Sequence, residues 1–361
     1  MATRCIASTR AVPLGAGRTA TSRASDRRRS LAALSRDAKR ASNILITTRF
    51  MRSGPRQRGD ACLTSASATA TVDADFASAA SGEWEGHRVY FDAGGTKQPI
   101  PDQYVPPAFK EWGVELVDWQ SQCAMSVSVE RGVYARELRF LPTQGCEADA
   151  STVESSYERN LAVDAVVPAP SDAPVEAGSY SAETSVGDGD ERAVVVEHCL
   201  GFTFPGASGE DEDKRCRVRV QQTMAPGSRT TVATISAWKE YYYEEFKNAA
   251  SLCASCGGPN KWGESPNTDP ADLTSEGWTG DDWAGLPSEG AVMLPQGLWC
   301  SAASDDVTGG FVLEAGWLIP DRDAVWLPAV RDVETHLISR RVYDADGALS
   351  DVQFLRRTRK P

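Results

Sequence analysis

The cysteine pair Cys253-Ala254-Ser255-Cys256 has the spacing of redox and metal motifs. Redox work needs one thiol made acidic by a helix N-terminus or a nearby cation. Here the pair follows a segment that reads as helical, so the nearby dipole end is negative and disfavours a thiolate. No strand runs immediately into it, as a thioredoxin-like unit requires. A closed zinc site takes four ligands, and the chain has neither a second Cys-x-x-Cys nor a His-x-x-x-His. Cys253 and Cys256 are therefore expected first as structural or idle thiols, then as a regulatory disulfide, and last as metal ligands. No metal site is predicted, and no cofactor is required.

Glu197-His198-Cys199 places a base beside a nucleophile in sequence. In a strand, adjacent residues point to opposite faces, so the two cannot act as a local dyad. What remains is His198 projecting into an apolar interior. There it either gives a ligand a polar handle or, more commonly, bonds a neighbouring carbonyl or hydroxyl as a core histidine. Paired carboxylates, a phosphate-cradling glycine loop and a Gly-x-Ser-x-Gly elbow are all missing, and no catalytic residue is assigned.

The elements around these residues read mostly as β. Strand-like runs bounded by Gly, Pro or Asp recur at 84–91, 114–120, 133–141, 152–157, 192–204, 215–224, 230–237, 311–319, 335–343 and 349–356. Many short strands with turn signals between them point to a sandwich or a barrel. Along 193–204 the parity groups Val194, Val196, His198, Leu200, Phe202 and Phe204 as an inward face. Glu197 and Cys199 then fall outside, while Cys216 turns inward and Arg215, Arg217 and Arg219 turn to solvent. Phe311, Leu313, Ala315, Trp317 and Ile319 form a similar inward set. One helix is expected in Ser236–Leu252, from Lys239 onward, on the spacing of Trp238, Tyr242, Phe246 and Ala249; the competing reading extends the preceding strand through Tyr243. Three inserts interrupt the pattern, at 167–190, 206–214 and 257–297. The first two read as a mobile loop and a charged tip. The third carries Trp262, Trp278 and Trp283 and is expected to pack across the fold.

Of the chain's 38 basic and 50 acidic residues, 14 and 3 fall in residues 1–60, leaving 24 and 47 beyond. An Arg-, Ser- and Ala-rich, acid-poor start has the composition of an organelle transit peptide, and residues 1–72 are expected as a plastid transit peptide and disordered linker. A soluble plastid location follows, the stroma before the lumen. The remaining chain, with a net charge of -23, argues against nucleic acid as a partner. The longest apolar run near the start, Asn43–Ile46, is too short to span a membrane. All ten tryptophans lie after residue 80, which implies a large core or an aromatic-lined cavity.

Gly82-Glu83-Trp84 at the first strand resembles the Gly-x-Trp pattern of the lipocalin or calycin superfamily, and Gly297-Leu298-Trp299 repeats it. The stretches VEHCLGFTF, CRVRV, FVLEAGWLI and HLISRRVYDADGAL resemble segments of an uncharacterised plastid and cyanobacterial family with a lipocalin-like domain. The resemblance covers most of 82–361. It implies an all-β fold, an antiparallel barrel of about 8–12 strands with one accessory helix, spanning 78–361. It also implies that Gly82 and Trp84 plug the barrel, with a late-strand arginine over Trp84, either Arg356 or Arg341. The function expected from that fold is binding of a hydrophobic plastid molecule such as a tetrapyrrole, carotenoid or lipid derivative, lined by Trp84, His198, Phe202 and Trp317. A bilin-lyase-like enzyme that attaches chromophores is one alternative. The other is an assembly or scaffold factor with a packed barrel and a protein partner.

Overall fold

The computed structural model describes residues 72–143, 152–204, 213–252, 262–273, 278–280, 290–301, 304–305, 309–320 and 333–359. Nine strands form a first sheet. They are β1 (Gly82–Asp92), β2 (Trp119–Ser128), β3 (Gly132–Phe140), β4 (Val153–Leu161), β5 (Val166–Pro168), β6 (Tyr180–Val186), β7 (Ala193–Phe204), β8 (Lys214–Met224) and β9 (Val232–Glu244). Every pairing is antiparallel, in the order β4-β3-β2-β1-β9-β8-β7-β6-β5. The sheet curls into a half-barrel, because Arg159 of β4 reaches Glu197 of β7 across its hollow.

A second sheet holds β10 (Trp278–Gly280), β11 (Ala291–Met293), β12 (Leu298–Ser301), β13 (Ser304–Asp305), β14 (Phe311–Pro320), β15 (Val333–Tyr343) and β16 (Leu349–Arg359). Its order is β10-β16-β15-β14-β12-β11, with β13 beside β14. The fold is all-β and barrel-like. Two short helices lie among the described residues, α1 (Ala74–Ala80) and α2 (Pro107–Glu111). The Asp73 carboxylate accepts from Phe76 N at 2.8 Å to start α1, whose Phe76 and Ala80 are buried at one end of the hollow.

The main apolar core lies between the sheets. Val89, Phe91, Leu200, Val218, Val220, Ile235 and Ala237 from the convex side of the first sheet meet Ala315, Trp317, Ile319, Leu337 and Phe354 of the second. Apolar area on two facing sheets disappears from water only if the sheets stack, at about 25 cal/mol per Å². Trp262 of the long insert enters the same layer, and its N–H and that of Gly263 both donate to the Asp118 carboxylate at 2.6 Å.

Four expectations differ from this fold. The segment from Lys239 is strand, not helix: β9 continues to Glu244 and pairs with β1 and β8. Trp238 and Tyr242 are four apart, a spacing that places them on one face of a helix and equally on one face of a strand. The buried Glu240 between them decides for the strand, since it belongs to that face. Tyr180–Val186, inside the stretch read as a loop, forms β6, with Tyr180 wholly buried. The second strand begins at Trp119 rather than at Val114.

The fourth difference has the largest consequence. The parity of β7 and β8 groups residues as expected, but the directions are exchanged. The Val196–His198–Leu200 face looks outward to the second sheet, and the Glu197–Cys199 face looks into the hollow. Arg217 and Arg219, read as solvent-facing, are 2% and 0% exposed there. Each charge is neutralised by a carboxylate from another strand, which lets a charged face be buried.

Candidate functional site

Two places in the fold concentrate chemistry: the hollow of the first sheet and a cleft at the end of the inter-sheet layer. In the hollow, Arg219 Nη2 meets Glu240 Oε1 at 2.8 Å, and its Nη1 meets Glu137 Oε1 at 2.9 Å. Arg217 Nε lies 2.7 Å from Glu240 Oε2, and Arg159 grips both oxygens of Glu197 at 2.8 Å. The Tyr157 hydroxyl donates to Glu137, and those of Tyr180 and Gln221's amide donate to Glu197. Burial alone would raise the Glu137 carboxyl, but Arg219, Arg159 and Arg88 outweigh it and hold the group at about 2. Glu197 is lowered in the same way by Arg159 and Arg219.

Aromatic rings interleave with these cations. Arg217 stands 4.1 Å over Trp84, while Arg219 at 4.5 Å and Arg88 at 4.2 Å both stack on Trp238. Arg88 also covers Tyr90 at 4.3 Å, and Arg139 covers Trp119 at 4.3 Å. A guanidinium on an aromatic face gains about 0.5–2 kcal/mol and gives up less hydration than an ammonium would. From α1 to Trp119, side chains occupy the hollow. Burial pushes the Cys123 and Cys199 thiols up to about 12 despite Arg217 and Arg219, so both are poor nucleophiles.

Gly86 sets the start of this column. A Cβ there would fall 1.9 Å from Lys239 O, so only glycine lets β1 lie this close to β9 beside Trp84. Trp84 itself is 4% exposed, donates its Nε1–H to Ala80 O at 3.2 Å and packs edge-on against Tyr242 at 5.5 Å. The arginines over it are Arg217 and, at 5.3 Å, Arg215, both from β8. Neither Arg356 nor Arg341 takes that place. Arg341 lies between the sheets, bonded to Ser181 Oγ at 3.1 Å and Tyr343 Oη at 2.8 Å, and Arg356 lies near Phe202. An Arg–Trp contact was expected from the resemblance; its arginine was missed because β8 was turned to solvent. The alternating Arg215, Arg217 and Arg219 beside a Trp-x-Glu-x-Tyr strand was the available signal.

His198 lies between the sheets and shares a 2.8 Å hydrogen bond from Nδ1 to Ser339 Oγ. It is 1% exposed, and burial and Arg341 lower its pKa to about 3, so it is a neutral core histidine. Phe202 and Trp317 meet edge-on at 6.4 Å, with Phe204 completing the cluster. The four expected ligand-lining residues thus divide: Trp84 faces the filled hollow, His198 is sealed, and Phe202 and Trp317 touch. Trp299, the second Gly-x-Trp tryptophan, donates to His336 Nε2 at 2.9 Å on the far face of the second sheet, where Gly316 leaves room for its ring. Cys253 and Cys256 lie outside the described residues.

The cleft opens where the 173–177 loop leans on the ends of β7, β15 and β16. It is a cavity of about 290 Å³ lined by the loop with Gly201, Phe202, Leu337 and Arg356. The loop is tied down by Ala173 N to Pro170 O at 2.9 Å and Ser179 N to Glu176 O at 2.9 Å, while Ser179 Oγ accepts from Gly201 N at 3.0 Å. Gly201 matters for its missing side chain: a Cβ would lie 3.2 Å from Glu176 Cβ and press on the loop. Leu337 is buried, Phe202 half-buried, and Glu176 and Arg356 are exposed at the rim. Arg356 stands 6.0 Å from the Phe202 ring centre.

Among the described residues no helix is long and apolar enough to cross a membrane, and no group of three or more His, Cys, Asp or Glu side chains is placed to hold a metal. No family model matches the chain, and no curated protein matches it. A solved structure it is similar to is a protein of unknown function from the DUF3598 family of Nostoc punctiforme, 15% identical, with 79% of this chain and 98% of that chain covered and a TM-score of 0.41.

Proposed function

We propose that this protein binds a small organic molecule in the cleft between the 173–177 loop and the ends of β7, β15 and β16, and that it works in the plastid. The observation that carries the reading is the joining of an apolar floor, Phe202 and Leu337, to a charged rim, Arg356 and Glu176, in one cavity of about 290 Å³. Ligand sites combine an apolar wall with a few convergent polar groups, and here Phe202 and Leu337 supply the apolar part of a lining that is otherwise largely polar. The site differs from a lipocalin-type one, because guanidinium and aromatic groups take up the hollow of the first sheet. At about 30 Å³ per water-sized group, the cleft holds about ten such groups. A tetrapyrrole or carotenoid would leave most of its skeleton outside. A lyase reading loses its acid–base group, since His198 is sealed between the sheets. The plastid part rests on the composition of the N-terminal segment, and a lipocalin-like relationship on the Gly-x-Trp start with an arginine over Trp84.

The test is to express the tagged full chain in plastids, purify it and analyse co-purifying small molecules by mass spectrometry. A molecule retained by the wild type and lost on Phe202→Trp, which fills the cleft, supports the reading. Identical retention by both chains overturns it. A wild-type chain that carries no small molecule but captures a plastid complex favours the assembly-factor alternative. Residues 1–72 fused to a fluorescent protein should direct it to plastids; cytosolic fluorescence removes that part of the proposal.

A further inference from the structure

We infer that Lys239 is a nucleophilic amine that condenses reversibly with a small aldehyde to form an imine, independently of the cleft. Lys239 lies on the convex face of β9, opposite Val218 of β8 and His87 of β1. Its Nζ donates to Gln296 Oε1 at 2.6 Å and stands 6.0 Å from the centre of the Tyr241 ring. Cys216, opposite Tyr241 on β8, is the ionisable group that acts on its charge. Among the described residues no carboxylate forms an ion pair with it. Lys239, Tyr241 and Gln296 are each half-buried, so the cluster is open to solvent on one side.

Burial acts on the three possible nucleophiles in opposite directions, since the charged form is an anion for two of them and a cation for the third. The Cys216 thiol is pushed up to about 12 and the Tyr241 phenol is raised, so both keep their protons. The same loss of water lowers the Lys239 ammonium and favours the neutral amine. Gln296 Oε1 takes one N–H of that amine and leaves its lone pair available. The amide is held in this sense by its Nε2–H, which donates to Ser265 Oγ at 3.1 Å, and it projects from a turn residue with φ 54°. In the reaction the nitrogen adds to the carbonyl carbon, and the oxygen takes up the proton that the nitrogen gives up, with the Tyr241 phenol as the proton donor of the cluster. The oxygen then leaves as water and a C=N bond remains, so amine and aldehyde become imine and water without any redox change. An aldehyde with an apolar body is the class indicated: Val218 and the Tyr241 ring offer apolar surface, and a neutral amine gives an anion no counter-charge.

The experiment treats the full chain at pH 7 with benzaldehyde and sodium cyanoborohydride, which reduces the imine to a stable secondary amine. Nα-acetyllysine in the same tube serves as the reference amine, and the adducts are read by peptide mass spectrometry. Lys239 is expected to be labelled about tenfold faster than the reference. Its rate should level off at a lower pH than that of the reference, a profile that a purely structural lysine would not show. Gln296→Glu supplies a carboxylate, restores the ammonium and should bring the rate down to that of the reference. Labelling of Lys239 in the wild type no faster than the reference overturns the inference. So does a folded Gln296→Glu chain, checked by thermal melt, that labels Lys239 at an unchanged rate.

Discussion

The two faces of the first sheet are buried by opposite means. On its convex side, Leu200, Val218 and Ala237 meet the second sheet as ordinary apolar packing. On its concave side, Arg217, Arg219, Glu137, Glu197 and Glu240 are buried to 4% exposure or less among Trp84 and Trp238. Apolar packing degrades gradually when a side chain shrinks. A charged cluster fails abruptly, because a removed partner leaves an ion in a dry place. The convex face therefore supplies tolerance, and the concave face supplies a single arrangement of strands.

The sharpest way to break the comparison is Glu240→Gln, which removes the charge shared by Arg217 and Arg219. It should cost about 3–5 kcal/mol in urea unfolding. Leu200→Ala on the convex face should cost less, about 2–3 kcal/mol, as one cavity among apolar neighbours. A larger loss for Leu200→Ala would invert the assignment of the two faces.

Acid should separate them further. His198 titrates near 6.5 when unfolded and near 3 when folded, so the unfolded chain takes up its proton first. Stability contributed by keeping it neutral is complete above pH 6.5 and falls as pH drops, by about 1.4 kcal/mol per pH unit. Glu137 acts lower: its contribution is complete above 4.5 and is lost as pH falls toward 2. His198→Asn should make the dependence between pH 6.5 and 4.5 shallower and leave the steeper loss below it. His336, lowered to about 3 by burial, adds a second equal slope, so His198→Asn removes half of the upper dependence. Unfolding midpoints at half-unit pH steps check both.

The smallest effect belongs to the cleft. Arg356→Gln lies on an exposed rim and should change stability by less than about 0.5 kcal/mol. Its consequence should appear in ligand binding alone, which calorimetry beside a thermal melt would show.

Much of the fold could be read along the chain. Ten strand-like runs gave the all-β architecture, and the parity of β7, β8 and β14 put the right residues together. Helix and strand were confused only where a four-residue spacing serves both periods, at Trp238 and Tyr242. β6 was missed because its Tyr-Ser-Ala-Glu-Thr-Ser sequence lacks an apolar alternation; its Tyr180 is buried beside a charge, Glu197, from a neighbouring strand. Of the expected site, Phe202 and Trp317 do meet, and Arg356 joins Phe202 rather than Trp84. Gly201 and the 173–177 loop carried no periodic signal, and so the cleft between them could not be read in advance.

The sequence by itself determined which residues share a face, because strand alternation is a local property of the backbone. It also determined that Trp84 stands where a glycine-flanked strand begins. Only the tertiary structure decided which way each face turns. Glu137, Glu197 and Glu240 come from three strands far apart in the chain, and an arginine on a strand is at home in water until such partners arrive. Curling the sheet brings them together, and with that the charged face becomes the inside.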